Sequence, residues 1–172
     1  QLLRDNLKPT RSSKIYEIIS RWPIPVYMTT NYDNELQQHL AKLTLSYLSY
    51  SNTEDHFSLL IPELYGAVVK LHGDLTSESG LILTSDDYNG IDNSNSWEYW
   101  RTKMTSIFQM LPVIVIGHSL SDSNIRGVLR FAKKGSRVTQ PVCWIAPDVT
   151  EIDQRKFLEE YRIRVITYNN RD

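Results

Sequence analysis

The chain has 172 residues, enough for one domain of ordinary size or for part of a larger one. Hydrophobic residues make up 41% and charged residues 23%, which excludes wholesale disorder, and 19 Lys and Arg against 20 Asp and Glu leave a net charge of −1, too little positive field for a dedicated nucleic-acid binder. The single cysteine, Cys143, can build neither an internal disulfide nor a four-cysteine zinc site, so a reducing, cytoplasmic setting is the simplest expectation.

Taken in chain order, helical and extended patterns alternate. Ile15, Ile18, Ile19 and Trp22 recur at helical spacing behind the capping candidates Ser12 and Ser13, which predicts a helix over 13–21, ended by Pro23. A short strand follows over 24–29. Residues 33–47 read as a helix with Leu36, Leu40, Leu43 and Tyr47 on one face, and 49–58 as a polar loop. AVVKL at 67–71 reads as a strand, 76–80 as a turn, LIL at 81–83 as a further short strand, and 86–95 as a polar connection. Ser96 is the expected cap of an amphipathic helix with Trp97, Trp100, Met104, Phe108 and Leu111 on one stripe, which belongs to the core or a subunit interface. PVIVI at 112–116 is a continuous, β-branched strand of the kind covered on both faces. A helix opening at Ser123, a strand at 141–145, a helix capped by Thr150 and a last strand at 163–167 complete the pattern. The longest strongly apolar run, Val113–Ile116, is far below the roughly 18 residues of a membrane span. The expected class is therefore α/β: a mainly parallel, Rossmann-like sheet with helices on both faces.

In such sheets ligands bind beyond the carboxyl ends of the strands. The strands here run into Thr30-Asn31-Tyr32-Asp33, His72-Gly73-Asp74, Gly117-His118-Ser119-Leu120-Ser121-Asp122 and Ala146-Pro147-Asp148. Together these polar, glycine-bearing segments suit a polyhydroxylated or phosphorylated ligand.

The order TTNYD, KLHGD, then an apolar strand ending in GHSLSDSNIR resembles the sirtuin-like domains of bacterial anti-phage defence proteins, and LILTSDDYN after the histidine segment resembles that defence branch rather than the deacylases. The resemblance runs over 24–168. It implies an NAD-binding fold in which Asn31 holds the nicotinamide ribose and a water, Asp33 contacts the nicotinamide amide, His72 is the general base, and Gly117 and Ser119 contact the adenosine ribose and phosphates. Thr30 and Asp122 join the cofactor-binding set. Thr30 stands where sirtuins usually have glutamine, and His118 where they usually have Thr or Ser. The chemistry suits these residue types: nicotinamide leaves NAD without a general acid, a histidine is a serviceable base near neutral pH, and an amide can hold a ribose hydroxyl and orient water without adding charge.

Each residue has a plainer reading. A strand-end histidine can be structural, Asn31 and Asp33 can cap the following helix, and Ser119 and Asp122 can be loop and cap residues. His39 and His56 read as solvated, and the four histidines lack metal-ligand spacing, so no metal is expected. Arg126, Arg130, Lys133, Lys134 and Arg137 form a docking surface or, more simply, a solvated face.

The seven glycines include no glycine-rich loop before the first strand. The chain also opens Gln1-Leu2-Leu3-Arg4 without an initiator Met, so residues 1–172 are expected to be one sirtuin-like domain of a longer protein whose glycine loop lies upstream, the alternative being a protein that lacks that loop. Three functions remain open: an NAD hydrolase releasing nicotinamide and ADP-ribose, linear or cyclised, that depletes NAD in abortive infection; a catalytically silent nucleotide-sensing or assembly domain; and an NAD-dependent deacylase, disfavoured because 73–111 holds no cysteine for the usual zinc module. The expected partners are NAD or an ADP-ribose-type nucleotide, further copies of the chain as a homo-oligomer, and a phage or defence-system protein, with no membrane or nucleic acid.

Overall fold

The computed structural model describes residues 14–43, 47–59, 66–75, 80–135 and 140–169. The chain divides into two compact units, residues 1–87 and 88–172, and each carries a three-stranded parallel sheet flanked by helices. The parallel α/β expectation thus holds in both units.

In the first unit, α1 (Lys14–Ile19) leads to β1 (Val26–Thr29), α2 (Glu35–Lys42), β2 (Leu48–Ser51), α3 (Glu54–Leu59) and β3 (Ala67–Lys70). The sheet order is β1-β3-β2, with Tyr27 opposite Val68 and Thr29 opposite Lys70. The central strand, β3, is buried along its whole length, which is why it is nearly continuous in apolar residues. Tyr27, Leu36, Leu40 and Val68 form a core against which Tyr16, Ile19, Ile24 and Tyr47 pack. Two phenols close this core from the side: Tyr27 donates to the carbonyls of Ile19 and Trp22, and Tyr47 to that of Ile24 at 2.7 Å. Burial, with Tyr47 adding to it, pushes the Tyr27 phenol up to about 12.

Helix α4 (Ser85–Asn93) crosses from the first unit into the second. A 3-10 turn (Asn95–Trp97) then leads into α5 (Glu98–Met110), followed by β4 (Val113–Ile116), α6 (Ser123–Gly135), β5 (Val142–Pro147), α7 (Glu151–Tyr161) and β6 (Ile163–Tyr168), with sheet order β4-β5-β6. Trp100, Met104 and Phe108 of α5 are buried, so the aromatic stripe belongs to the core. Alternate residues of β5, Val142, Trp144 and Ala146, are buried too, and Trp144 meets Phe157 of α7 edge-to-face at 4.8 Å.

Several elements differ from expectation. The helix expected over 33–47 stops at Lys42, and Leu43 closes it by donating to Leu40. The polar stretch 49–58 holds most of β2 and α3. LIL at 81–83 is not a strand, although Ile82 is buried and its N–H donates to the His72 carbonyl at 3.1 Å. The connection over 86–95 is largely helix α4, because Thr84 and Asp87 form a reciprocal capping pair: the Thr84 hydroxyl accepts from the Asp87 N–H, and the Asp87 carboxylate accepts from the Leu83 and Thr84 N–H groups. The same bonds hold the Asp87 carboxyl below the usual carboxylate range. Ser94 rather than Ser96 caps the turn before α5. The expected caps Ser12 and Ser13, and residues 76–79 of the expected turn, lie outside the described residues.

Candidate functional site

The last rung between β1 and β3 is Thr29 opposite Lys70, and the pairing continues one bond further, Leu71 N–H to Thr29 carbonyl at 2.8 Å. Asn31 and His72 each stand two positions beyond that rung, on neighbouring parallel strands. The first unit therefore brings Thr30, Asn31, Asp33 and His72 to one strand-end edge.

Asn31 is exposed, while His72 is buried at 5% exposure. The Asn31 backbone N–H donates to Thr29 Oγ1 at 3.0 Å, and its amide Nδ2 donates to the Tyr16 hydroxyl of α1 at 2.6 Å. Burial raises the Tyr16 pKa, the carboxylates of Asp33 and Glu35 raise it further, and the bond to Asn31 acts against them. Asp33 Oδ1 accepts from the Glu35 N–H at 2.9 Å and so closes the turn ahead of α2, but the N-cap position is Asn34, not Asn31 or Asp33.

Three residues that the sequence reading passed over shape this edge. Tyr32 donates to the Ile82 carbonyl, and its ring lies 6.5 Å from the His72 ring. Asn52, fully buried in the turn after β2, donates to the carbonyls of Leu71 at 3.1 Å and Gly80 at 2.7 Å. Lys70 is fully buried at the end of β3, and its ammonium donates to the carbonyls of Asn31, at 3.3 Å, and Asp33. Burial pulls the Lys70 ammonium below the usual lysine range, against the opposing pull of Asp74 and Asp33. Gly73 follows His72 at φ +86°, and a Cβ there would sit 2.5 Å from the Gly80 carbonyl oxygen, so glycine is required.

Of the two histidines expected in solvent, one is buried and one is exposed. His39 is buried rather than solvated, with Nε2 4.0 Å from the Glu35 carboxylate. His56 is exposed, but its Nδ1 accepts from the Ser51 N–H at 3.0 Å and lies 2.8 Å from Ser51 Oγ, which ties α3 to the end of β2.

The second unit carries Gly117, Ser119 and Asp122 on the loop between β4 and α6. Gly117 has φ +67° and Leu120 φ 53°. Ser119 Oγ lies 2.6 Å from Ser121 Oγ and accepts from the Ser121 N–H, while His118 Nδ1 accepts from the Leu120 N–H at 2.9 Å. Asp122 Oδ1 accepts from the N–H groups of Asn124 and Ile125 and so caps α6. Asn124, also unforeseen, is buried and donates to the Tyr88 carbonyl at 3.1 Å and to Asp92 Oδ1 at 2.6 Å, joining α6 to α4. The Tyr88 phenol is raised by burial and by the Asp122 carboxylate.

The basic face of α6 is largely bonded within the chain. Arg126 donates to the Ser121 carbonyl, Arg130 to the Tyr161 hydroxyl, and Lys133 to the Glu159 carbonyl. This favours the plainer reading of those charges; Arg137 lies outside the described residues. Among the described residues, no group of three or more His, Cys, Asp or Glu side chains is arranged to hold a metal ion, and no helix is long and apolar enough to cross a membrane.

Comparison with known proteins places this edge in context. A family model described as a SIR2-like domain matches residues 25–166. An NAD(+) hydrolase ThsA of Enterococcus faecium is 26% identical over 135 residues, covering 75% of this chain and 27% of that protein. The Cytobacillus dafuensis protein of the same name is 27% identical over 130 residues, with 75% of this chain and 26% of the relative covered. That of Bacillus cereus is 25% identical over 166 residues, with 87% and 31% covered. The chain thus spans only about a quarter to a third of the curated relatives it matches. With TTNYD, KLHGD and the apolar strand that ends in GHSLSDSNIR all inside the matched region, the chain belongs to the family of SIR2-like domains.

Proposed function

We propose that residues 1–172 form one sirtuin-like domain of a longer protein that hydrolyses NAD at the nicotinamide–ribose bond as part of anti-phage defence. The observation that carries this reading is the matched placement of Asn31 and His72, each two residues past the Thr29–Lys70 rung of adjacent parallel strands. That edge belongs to a SIR2-like domain whose relatives include proteins named NAD(+) hydrolase.

The residues suit the chemistry. NAD offers a ribose with two hydroxyls next to a cationic leaving group. The Asn31 carboxamide, pinned through Nδ2 by Tyr16, presents a neutral polar group to a ribose hydroxyl and a water. His72 takes the proton of the water that adds to the ribose carbon as the bond to nicotinamide breaks, so that the products are nicotinamide and ADP-ribose. Thr30 and Asp33 line the same edge, and Gly117, Ser119 and Asp122 contribute adenosine and phosphate contacts. Such a protein works in the cytoplasm, as a homo-oligomer, and its activity answers to a phage or defence-system partner.

The test is to incubate the full-length protein with NAD and follow nicotinamide release without any acylated peptide. His72→Ala should lower the rate by about 10²–10⁴-fold, the usual cost of losing a general base. Asn31→Ala should also slow it, because ribose and water lose their fixed geometry. Full turnover by a folded His72→Ala protein would remove this residue from the mechanism. A wild-type protein that binds NAD and never releases nicotinamide would instead support a nucleotide-sensing role.

A further inference from the structure

We propose that Lys70 is a positioning residue: from the end of β3 its ammonium gathers the main-chain carbonyls of Asn31 and Asp33 and so fixes the segment that carries Asn31 beside the strand that carries His72. The catalytic consequence rests on the NAD reading above; the clamp itself does not.

The argument begins with the position. Lys70 is the last residue of the central strand of its sheet, and its side chain is fully buried. An ammonium in that place loses its hydration, a loss that persists only where the cation is hydrogen-bonded and balanced by charge. Both conditions are met, the hydrogen bonds by the segment after β1 and the charge by Asp74 and Asp33. The Asn31 carbonyl accepts at 3.3 Å, the Asp33 carbonyl accepts as well, and the carboxylates of Asp33 and Asp74 favour the charged form. Two carbonyls two residues apart converge on one nitrogen, so the main chain from Asn31 to Asp33 is curled around it. The residue between them, Tyr32, meets His72 and bonds to Ile82. The same strand therefore supplies His72 and, two residues earlier, the cation that holds its partner. A hydrophobic residue at position 70 would fill the core but leave both carbonyls without this donor.

The test uses the full-length protein with Lys70→Met, which keeps much of the side-chain length and removes the donors. Two quantities are read: amide hydrogen exchange, and kcat and KM for nicotinamide release from NAD. The expected result is exchange at least about tenfold faster in residues 30–35, with Tyr27–Thr29 and Ala67–Val69 unchanged. It should be joined by a fall in kcat of about 10–100-fold with KM within about threefold, since displacement of a positioned group by an ångström can cost a hundredfold. A folded variant with unchanged exchange over 30–35 overturns the clamp. Faster exchange there with unchanged kcat overturns the positioning role. If Lys70→Met fails to fold, Lys70→Gln, which retains one shorter donor, is read against the same two criteria. Wild-type protein that releases no nicotinamide counts against NAD hydrolysis alone, and the exchange arm still decides the clamp.

Discussion

The loop after β1 is tied to distant parts of the chain, whereas the loop after β4 is tied mostly to itself. Residues Asn31–Asp33 are held by Lys70, by Tyr16 and, through Tyr32, by Ile82, partners 39, 37, 15 and 50 positions away. In the loop from Gly117 to Asp122, the side chains of His118, Ser119 and Asp122 bond to groups two or three positions away. A long tie in that loop is the Trp144 indole N–H to the His118 carbonyl at 2.8 Å. Local bonds form whenever their loop forms. Distant ones exist only while the surrounding core is intact, so the first loop depends more heavily on its whole unit than the second.

Glycine substitutions should expose this difference most strongly. Gly73→Ala places a Cβ against backbone at 2.5 Å in a positive-φ conformation, and should cost about 2–4 kcal/mol in chemical denaturation. Gly117→Ala has positive φ but open space around the new methyl, so only the conformational cost remains, about 1 kcal/mol. Equal losses at the two positions would dissolve the distinction.

The next effect is alkaline. A phenol raised from 10.0 to about 12 is held protonated by the fold, so its contribution is complete below pH 10 and disappears as pH climbs toward 12. Unfolding free energy should fall by about 2–3 kcal/mol across that window. Tyr27→Phe should flatten the fall while lowering stability near pH 8 by about 1 kcal/mol. Hydrogen exchange should loosen over 30–34 in this variant and stay unchanged over 117–122. An identical pH slope in the variant would assign the effect elsewhere.

The two aspartates at helix starts, Asp122 capping α6 and Asp33 just ahead of α2, should differ more mildly. Asp122 accepts from two N–H groups and Asp33 from one, so Asp122→Ala should cost about 1–2 kcal/mol and Asp33→Ala about half as much. Thermal or denaturant midpoints of the pair decide the order. Smallest of all, Ser119→Ala removes an exposed hydroxyl that bridges to Ser121 Oγ and accepts from the Ser121 N–H, and should change stability by less than about 0.5 kcal/mol. A larger loss would show that the second loop is not self-sufficient.

What could be read in the residues follows the same division. Strands β3 and β4 and helices α5 and α7 announce themselves through apolar continuity or helical spacing, and Thr150 is a legible cap whose hydroxyl accepts from the Asp153 N–H. Helix α4 was hidden by its Asn, Asp and Gly content, yet Thr84 and Asp87 carry the same capping signal at the same spacing. Strand β2, Leu-Ser-Tyr-Ser, looks like a loop because only its last two residues are buried. At the candidate site, Asn31, Asp33 and His72 were visible as polar residues after strands. Lys70 was absorbed into an apolar run, although a lone charge in a strand covered on both faces is itself a signal. Asn52 left no trace, because its role depends on meeting Leu71 and Gly80 across the fold.

The Asn52 side chain has one more consequence, for how the chain tolerates change. By bonding to both the Leu71 and the Gly80 carbonyls, it fastens the two ends of the intervening segment, and the Ile82 N–H on the His72 carbonyl is a second fastening. Position 80 is therefore closed to larger residues: a Cβ there would stand 2.0 Å from Asn52 Oδ1 and would displace the side chain that holds the Leu71 carbonyl, next to His72.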